Sequence, residues 1–213
     1  MIRAVLWDFG GVFTTSPFVA FRRYESEKGL PTDFIRSTNA RNHHENAWAK
    51  FERSDVTLDE FDALFRAETA EQGFEVPGKD IIQLLAGDFR PAMIEALRRC
   101  NEKYITACIT NNVKAGTGPG MFRSADQEAR AAEVMEQFKV VIQSSKVNLR
   151  KPDPKIYQLA CREVGIEPNE AIYLDDLGVN LKPARELGMK TIKVEDPDVA
   201  IAELETLTGL KLT

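Results

Sequence analysis

The feature that most constrains the fold is the short, mostly apolar run from Ile2 to Trp7, which ends at Asp8 and is followed by two glycines. The run is too short for an ordinary helix, so it predicts a buried strand, and Gly10 and Gly11 predict a turn after it. A carboxylate that closes a buried strand is costly unless a cation, hydrogen bonds or a reaction requires it there. Asp8 is therefore the first candidate functional residue, with a loop-capping aspartate as the simpler alternative.

From about residue 90 the chain alternates helical and strand patterns. Strands are predicted over 104–110, 139–143, 171–174 and 191–194, and helices over 91–101, 125–137, 154–164 and 179–187. Crossovers this short between strands predict parallel pairing with a right-handed connection. The alternation therefore indicates an α/β fold built on a parallel sheet.

The segment between the first strand and this alternation has helical patterns throughout. Ser16 and Pro17 predict a helix start, with Ser16 as the N-cap, and further helices are predicted over 31–37 and 45–51. The segment Thr57–Glu60 has the pattern of a capping box that opens another helix. We therefore expect a core of residues 1–14 and 89–213, with residues 15–88 inserted as a small all-helical cap over the carboxyl edge of the sheet.

Composition narrows the functional classes. The 213 residues carry a formal net charge of −5 and their basic residues are spread along the chain, which argues against a nucleic-acid partner. The three cysteines lack a C-x-x-C spacing and predict reduced thiols in a reducing compartment. We see neither a signal-peptide pattern nor an apolar stretch of about 18 residues, so we expect a soluble, cytoplasmic protein with no membrane partner.

Polar residues follow three of the predicted strands at one edge of the sheet, where ligands bind in open parallel sheets. They are Asp8, the run Thr110, Asn111 and Asn112, and the pair Asp175 and Asp176. Lys151, in a proline-flanked loop, adds one positive charge. Three converging carboxylates and one lysine leave an excess of two negative charges, which requires protonation or a divalent cation. Oxygen ligands with room for water and a phosphate favour Mg²⁺ over Zn²⁺.

We infer that Asp8 is a nucleophile that attacks phosphorus and forms an aspartyl-phosphate, which water then hydrolyses. Mg²⁺ and Lys151 would neutralise the phosphoryl oxygens. The residues predicted to bind the phosphate, by hydroxyl or backbone N–H, are Thr110, Phe9, Gly10, Gly11, Asn111 and Asn112. The two glycines let the backbone approach the ligand closely.

Four segments resemble, in order, the motifs of the haloacid dehalogenase (HAD) superfamily. They are Asp8–Val12, Thr110–Asn112, Lys151–Pro154 and Leu174–Arg185. The chain is most similar to the branch that contains the amino-terminal phosphatase domain of soluble epoxide hydrolase. The resemblance implies a Rossmann-like three-layer core with a helical cap and Mg²⁺-dependent hydrolysis of a phosphate ester, of the sugar or lipid phosphate class. It also implies metal ligation by Asp8, by the Gly10 carbonyl, and by Asp175 or Asp176.

One position departs from the pattern of most phosphatases of the superfamily, which carry a second aspartate two residues after the nucleophile. Here that position is Gly10, although a bacterial sugar-phosphate phosphatase of the superfamily is similar at this point. Acid–base help is worth about 10²–10⁴ in rate, so we expect a slow enzyme, a good leaving group or another proton donor. A metal-independent dehalogenase and a weakly active or non-catalytic phosphate-binding protein are the alternatives.

The cap carries the candidates for substrate specificity, which are Phe18, Tyr24, His43, His44 and Trp48. We expect the two histidines at the surface or in a loop, with one of them replacing the missing acid as the functional alternative. Trp48 and Phe51 are expected to pack in the core of the cap, whose apolar surface would also allow a homodimer. The glycine-rich segment 116–120 predicts a flexible loop near the site entrance, where Arg123 could contact the substrate.

Overall fold

The computed structural model describes residues 1–112 and 124–212, and within them five parallel strands form one sheet. The strands are β1 (Ala4–Trp7), β2 (Ile105–Thr110), β3 (Val140–Gln143), β4 (Ala171–Asp175) and β5 (Lys190–Lys193). Their order is β3-β2-β1-β4-β5, so β1 lies in the middle, with Trp7 opposite Cys108 and Leu174. Asp8 therefore follows the central strand, and the ends of β2 and β4 flank it.

Helices connect these strands and build the segment after β1. Those after β1 are α1 (Phe18–Lys28), α2 (Phe34–Ala40), α3 (Ala47–Arg53), α4 (Leu58–Ala70) and α5 (Gly78–Gln83). Those among the later strands are α6 (Pro91–Cys100), α7 (Ala125–Met135), α8 (Ser144–Val147), α9 (Pro154–Val164), α10 (Gly178–Glu186) and α11 (Pro197–Thr208). The predicted alternation of helices and strands is confirmed, and α8 and α11 are additional elements.

The sheet has an apolar layer on each face because side chains of a strand alternate between its two sides. Val5 and Trp7 of β1 pack with residues of α6, α7 and α11. Ala4 and Leu6 point the other way and pack with residues of α9 and α10. The three layers of helix, sheet and helix confirm the Rossmann-like α/β fold.

Helices α1 to α5 pack around a separate apolar cluster, as expected for a helical cap. Phe51 stacks on Phe61 with ring centroids 4.5 Å apart, and Trp48 packs against the same cluster. The prediction that Trp48 and Phe51 are packing residues is thus confirmed. Phe18 and Tyr24, which we considered for specificity, also pack against this cluster.

The starts of the cap helices follow their capping chemistry. Thr57 and Glu60 form the predicted capping box, with the Thr57 N–H donating to the Glu60 carboxylate at 2.7 Å. In contrast, α1 begins at Phe18 with Pro17 at the N-cap, so the expected Ser16 cap is wrong. The helix predicted from residue 31 begins only at Phe34, because the preceding residue has a left-handed backbone that interrupts a helix.

The two connections between the core and the cap lie side by side. Thr14 and Phe89 form an isolated antiparallel bridge, and the Thr15 N–H donates to the Asp88 carbonyl at 2.8 Å. A Cβ atom at Gly87 would lie 2.2 Å from the Thr15 carbonyl oxygen, so this close approach requires glycine. The predicted boundaries at residues 14/15 and 88/89 stay predictions.

Three further expectations concern the chain as a whole. Cys100, Cys108 and Cys161 are buried free thiols, as predicted. None of the helices in the described ranges is long and apolar enough to cross a membrane. The glycine-rich segment 116–120 and Arg123 lie outside the described residues.

Candidate active site

Asp8 continues the path of β1 into the site. Its N–H donates to the Leu174 carbonyl at 2.8 Å, which holds the residue against β4. Its Oδ1 atom accepts a hydrogen bond from the Phe9 N–H at 2.6 Å and lies 2.7 Å from the Lys151 ammonium. Its Oδ2 atom makes no hydrogen bond to any residue within 1–112 or 124–212. One carboxylate oxygen is thus fixed, and the other is available for a ligand.

Lys151 is the cation of the site and is only 1% exposed. Its Nζ atom lies 2.7 Å from Asp8 Oδ1 and 2.9 Å from Asp175 Oδ2. Burial by itself would lower the pKa of this ammonium, but the carboxylates of Asp175 and Asp8 outweigh it and raise the pKa above its ordinary value. The lysine is therefore a permanent positive charge between two carboxylates.

Asp175 is fully buried and surrounded by hydrogen-bond donors. Its Oδ1 atom accepts from the Leu177 N–H at 2.8 Å and from the Asn180 amide at 3.0 Å. Its Oδ2 atom accepts from Lys151 at 2.9 Å and from the Tyr173 hydroxyl at 2.5 Å. Burial, and then the negative charge of Asp175, raise the pKa of Tyr173, so its hydroxyl keeps the proton that it donates. Both Asp175 oxygens are therefore occupied by hydrogen-bond donors, one of which is the Lys151 ammonium.

Asp176 lies beside this pair and completes an acidic cluster. One carboxylate oxygen from each of Asp8, Asp175 and Asp176 lies within 4.8 Å of the others. Burial, followed by the charge of Asp175, raises the pKa of Asp176 to about 6. Burial also raises the pKa of Asp8 well above its ordinary value, although the Lys151 ammonium opposes that shift. The excess negative charge expected from the sequence is thus present, and this set of oxygen donors fits a hard divalent cation.

The turn after Asp8 contains two glycines with different surroundings. Gly11 has φ +74°, and a Cβ there would lie 2.2 Å from an Asp176 carboxylate oxygen, so only glycine fits. The Gly11 carbonyl accepts a hydrogen bond from the Arg90 guanidinium at 2.9 Å. At Gly10 a Cβ would meet no heavy atom within 4 Å. Arg90 was not found from the sequence, since it follows the inserted segment rather than a strand.

The polar residues at the end of β2 and directly after it have different surroundings. Thr110 is the buried last residue of β2, at the edge of the sheet where the acidic cluster lies. Asn111 accepts from the Lys151 N–H at 2.8 Å and donates to the Lys151 carbonyl at 3.0 Å, so it orients the lysine loop. The Asn112 carboxamide oxygen instead accepts from the Ser145 hydroxyl at 3.0 Å. The predicted phosphate-binding roles of Phe9, Gly10, Gly11, Asn111 and Asn112 stay predictions.

His43 and His44 are exposed in the turn between α2 and α3, where a surface or loop position was predicted. Their ring centroids are 4.0 Å apart, and the His43 carbonyl accepts from the Arg150 guanidinium at 2.6 Å. The pair therefore lies where the cap meets the core. Its role as a proton donor stays a prediction.

A family model described as haloacid dehalogenase-like hydrolase matches residues 2–188 of the chain. Acyl-CoA dehydrogenase family member 10 of Mus musculus is 34% identical over 216 residues, which are 99% of this chain and 19% of that protein. Bifunctional epoxide hydrolase 2 of Sus scrofa is 30% identical over 226 residues, which are 99% of this chain and 40% of that protein. The chain spans less than half the length of these relatives. The resemblance seen in the sequence motifs is confirmed.

Solved structures share the fold at lower sequence identity. A HAD-family enzyme from Bacteroides thetaiotaomicron, in complex with magnesium and inorganic phosphate, aligns with a TM-score of 0.56 and 22% identity over 92% of this chain and 97% of that one. A structure described as a dehalogenase aligns with a TM-score of 0.65 and 19% identity over 99% of this chain and 98% of that one. Both support the three-layer core with its cap.

Proposed function

The chain belongs to the haloacid dehalogenase-like hydrolase family, and from that premise we propose that it is a Mg²⁺-dependent phosphatase acting on a small phosphate monoester. The observation that carries the proposal is the cluster of Asp8, Asp175 and Asp176 around one lysine. Three carboxylates and one ammonium leave negative charge that a divalent cation would balance. The substrate would belong to the class of sugar or lipid phosphates that the sequence motifs indicate.

Asp8 is the proposed nucleophile because its Oδ1 atom is held by Lys151 and Phe9, which leaves Oδ2 free among the described residues to attack. As the Asp8 oxygen bonds to phosphorus, the bond from phosphorus to the leaving oxygen breaks, and that oxygen takes a proton. Water then adds to phosphorus and breaks the bond to Asp8. Inorganic phosphate leaves, and the carboxylate is restored.

Asp8, Asp176 and the Gly10 carbonyl are the proposed Mg²⁺ ligands. We favour Asp176 over Asp175 because both Asp175 oxygens already accept hydrogen bonds from Lys151, Asn180 and other donors. When bound, Mg²⁺ would supply positive charge that offsets the carboxylates and the phosphoryl oxygens. The B. thetaiotaomicron enzyme, which was solved with magnesium and inorganic phosphate, is consistent with this proposal.

The leaving oxygen has no aspartate at position 10 to donate its proton. The activity should therefore depend strongly on how well the leaving group carries negative charge, since acid catalysis is worth about 10²–10⁴ in rate. We expect acyl and aryl phosphates to react faster than alkyl phosphates.

The test is release of inorganic phosphate from sugar phosphates, lipid phosphates and p-nitrophenyl phosphate with Mg²⁺ and with EDTA. EDTA should abolish turnover, and Asp8→Asn should lower it by at least about 10³-fold with the fold retained. The exposed Asp198 of α11 gives a matched control, because Asp198→Asn changes the same charge outside the site. Phosphate binding without turnover would contradict the proposal.

Carbon–halogen hydrolysis by Asp8 is the second candidate, favoured by the likeness to a dehalogenase structure and by the lysine that fixes the nucleophile. It would need no cation. Turnover of 2-chloropropionate in EDTA, together with inert phosphate esters, would favour this activity over phosphate hydrolysis.

A further inference from the structure

Glu52, near the end of α3, is a buried carboxylate of the cap that faces the core. Its side chain is 9% exposed, and its Oε2 atom accepts from Arg150 Nε at 2.7 Å and lies 2.5 Å from Arg150 Nη2. The remaining Arg150 nitrogen, Nη1, donates to the His43 carbonyl at 2.6 Å. Arg150 directly precedes Lys151. A residue of the cap therefore forms a two-nitrogen ion pair with the neighbour of the catalytic lysine.

A second set of contacts connects Glu52 to the lysine itself. The Asn111 amide nitrogen lies 3.3 Å from Glu52 Oε2 and 3.0 Å from the Lys151 carbonyl oxygen, so it bridges the two. The Asn111 side-chain oxygen accepts from the Lys151 N–H at 2.8 Å. The Glu52 backbone takes part as well, because its carbonyl accepts from the Ser144 hydroxyl at 2.8 Å. Both backbone groups of Lys151 are thus held by a side chain that Glu52 contacts.

These contacts of Glu52 hold the cap in its position on the core. Withdrawal of α3 would break the two-nitrogen ion pair between the Glu52 carboxylate and the Arg150 guanidinium. It would also free the Asn111 amide from one of its two acceptors. The orientation of Asn111, and with it the backbone of Lys151, therefore depends on the position of α3.

We infer that Glu52 is a positioning residue for Lys151. Through Arg150 and Asn111 it fixes the backbone from which the lysine reaches Asp8 and Asp175, so the site is fully assembled only with the cap seated. The catalytic consequence rests on the proposed phosphatase activity. The positioning itself rests on the contacts alone.

The cap contains a matched control in Glu25 of α1, which is also buried, at 2% exposure. Its two oxygens accept from the backbone N–H groups of Asp33 at 3.0 Å and Ile35 at 2.9 Å. Both partners belong to the cap. Glu25→Gln therefore perturbs a buried carboxylate of the cap without touching the lysine loop, whereas Glu52→Gln removes the charge that pairs with Arg150.

Hydrogen exchange of the Lys151 amide gives a readout that does not require turnover, because this N–H donates to Asn111. In Glu52→Gln its exchange should be at least about tenfold faster, while amides of β1 keep their wild-type rates. In Glu25→Gln the Lys151 amide should exchange within about twofold of the wild type. Arg150→Lys, which keeps the charge but loses the paired donors, should act like Glu52→Gln and serves if that variant does not fold.

Kinetics with acetyl phosphate and p-nitrophenyl phosphate test the consequence for the reaction. We expect Glu52→Gln to lower kcat by about tenfold or more with little change in KM, and Glu25→Gln to keep kcat per folded molecule. Unchanged exchange at Lys151, or unchanged kcat in an active enzyme, would overturn the inference. If the wild type hydrolyses neither ester, the proposed function fails, and the exchange measurement alone decides whether Glu52 positions Lys151.

Discussion

The acidic cluster at the end of β1 and the contact between α3 and the core are built on consecutive residues that point to different partners. Lys151 lies between Asp8 and Asp175 in the core, whereas Arg150 pairs with Glu52 of the cap. Both regions bury a carboxylate against a cation. The cluster has three carboxylates around one ammonium, and the cap contact pairs one carboxylate with one guanidinium.

The two regions differ in their charge balance. The charges of Glu52 and Arg150 balance each other, so this buried pair needs no further ligand. The cluster is left with negative charge, which a divalent cation would balance. Burial, and then the neighbouring carboxylates, raise the pKa values of Asp8 and Asp176, although Lys151 opposes the shift. The surplus is consistent with the proposal that the core region binds the cation and the substrate.

The largest expected effect compares the two cations directly. Lys151→Met removes the positive charge between Asp8 and Asp175, so we expect phosphate hydrolysis to fall by at least about 10³-fold. Arg150→Met leaves that charge in place and acts only through the position of the loop, so the loss should be about tenfold. Measurement of kcat/KM for each variant tests this order of effects, and circular dichroism checks that each variant is folded. Equal losses in two folded variants would contradict the distinction between the regions.

The next effect tests whether the slow step in the core region is limited by the missing proton donor for the leaving oxygen. Because a Cβ at Gly10 meets no heavy atom within 4 Å, Gly10→Asp can place a carboxyl group there. We expect it to raise the hydrolysis rate of an alkyl phosphate by about 10-fold to 10²-fold, and that of p-nitrophenyl phosphate much less, since its leaving group needs no proton. Gly10→Asn has the same shape without the acid. An equal response of both variants would show that the gain is not acid catalysis.

The core region could be predicted from the sequence because its residues follow strands. Asp8 directly follows β1, whereas Thr110 and Asp175 are the last residues of β2 and β4. A parallel sheet brings such positions to one edge. What the sequence left open was the division between Asp175 and Asp176. We expected β4 to end at residue 174, but it includes Asp175, whose side chain therefore shares a face with Tyr173 and meets its hydroxyl.

The cap contact could not be predicted in the same way. Glu52 and Arg150 are 98 positions apart, and no periodicity connects a cap helix to a core loop. In the sequence Glu52 stands between Phe51 and Arg53 and has the pattern of a charge on a solvated helix face. Only the packing of the cap on the core shows that it is buried. Arg90 was missed for the same reason, since its contact with Gly11 depends on how the chain returns from the cap.

A smaller effect concerns the turn that supports the cluster. Gly11→Ala places a Cβ against the Asp176 carboxylate and strains a left-handed backbone, which costs about 1–2 kcal/mol before the clash is counted. We expect Tm to fall by about 5 °C and the stabilisation by Mg²⁺ to weaken as Asp176 is displaced. Gly10→Ala is the matched control and should change Tm by less than about 1 °C. A similar Tm for both variants would contradict the assigned geometry.

The smallest effect is the pH dependence of stability, which should belong to the cluster. Burial and Asp175 raise the pKa of Asp176 from its ordinary value of 3.8 to about 6 in the folded protein. Between these two values the folded state binds more protons than the unfolded state, so stability falls as the pH rises. In EDTA we therefore expect a Tm a few degrees lower at about pH 7 than at about pH 5. Asp176→Asn should reduce that difference, and Mg²⁺, which competes with the proton, should stabilise the wild type more at the higher pH. A Tm in EDTA that rises over this range would contradict the assignment of surplus negative charge to the core region.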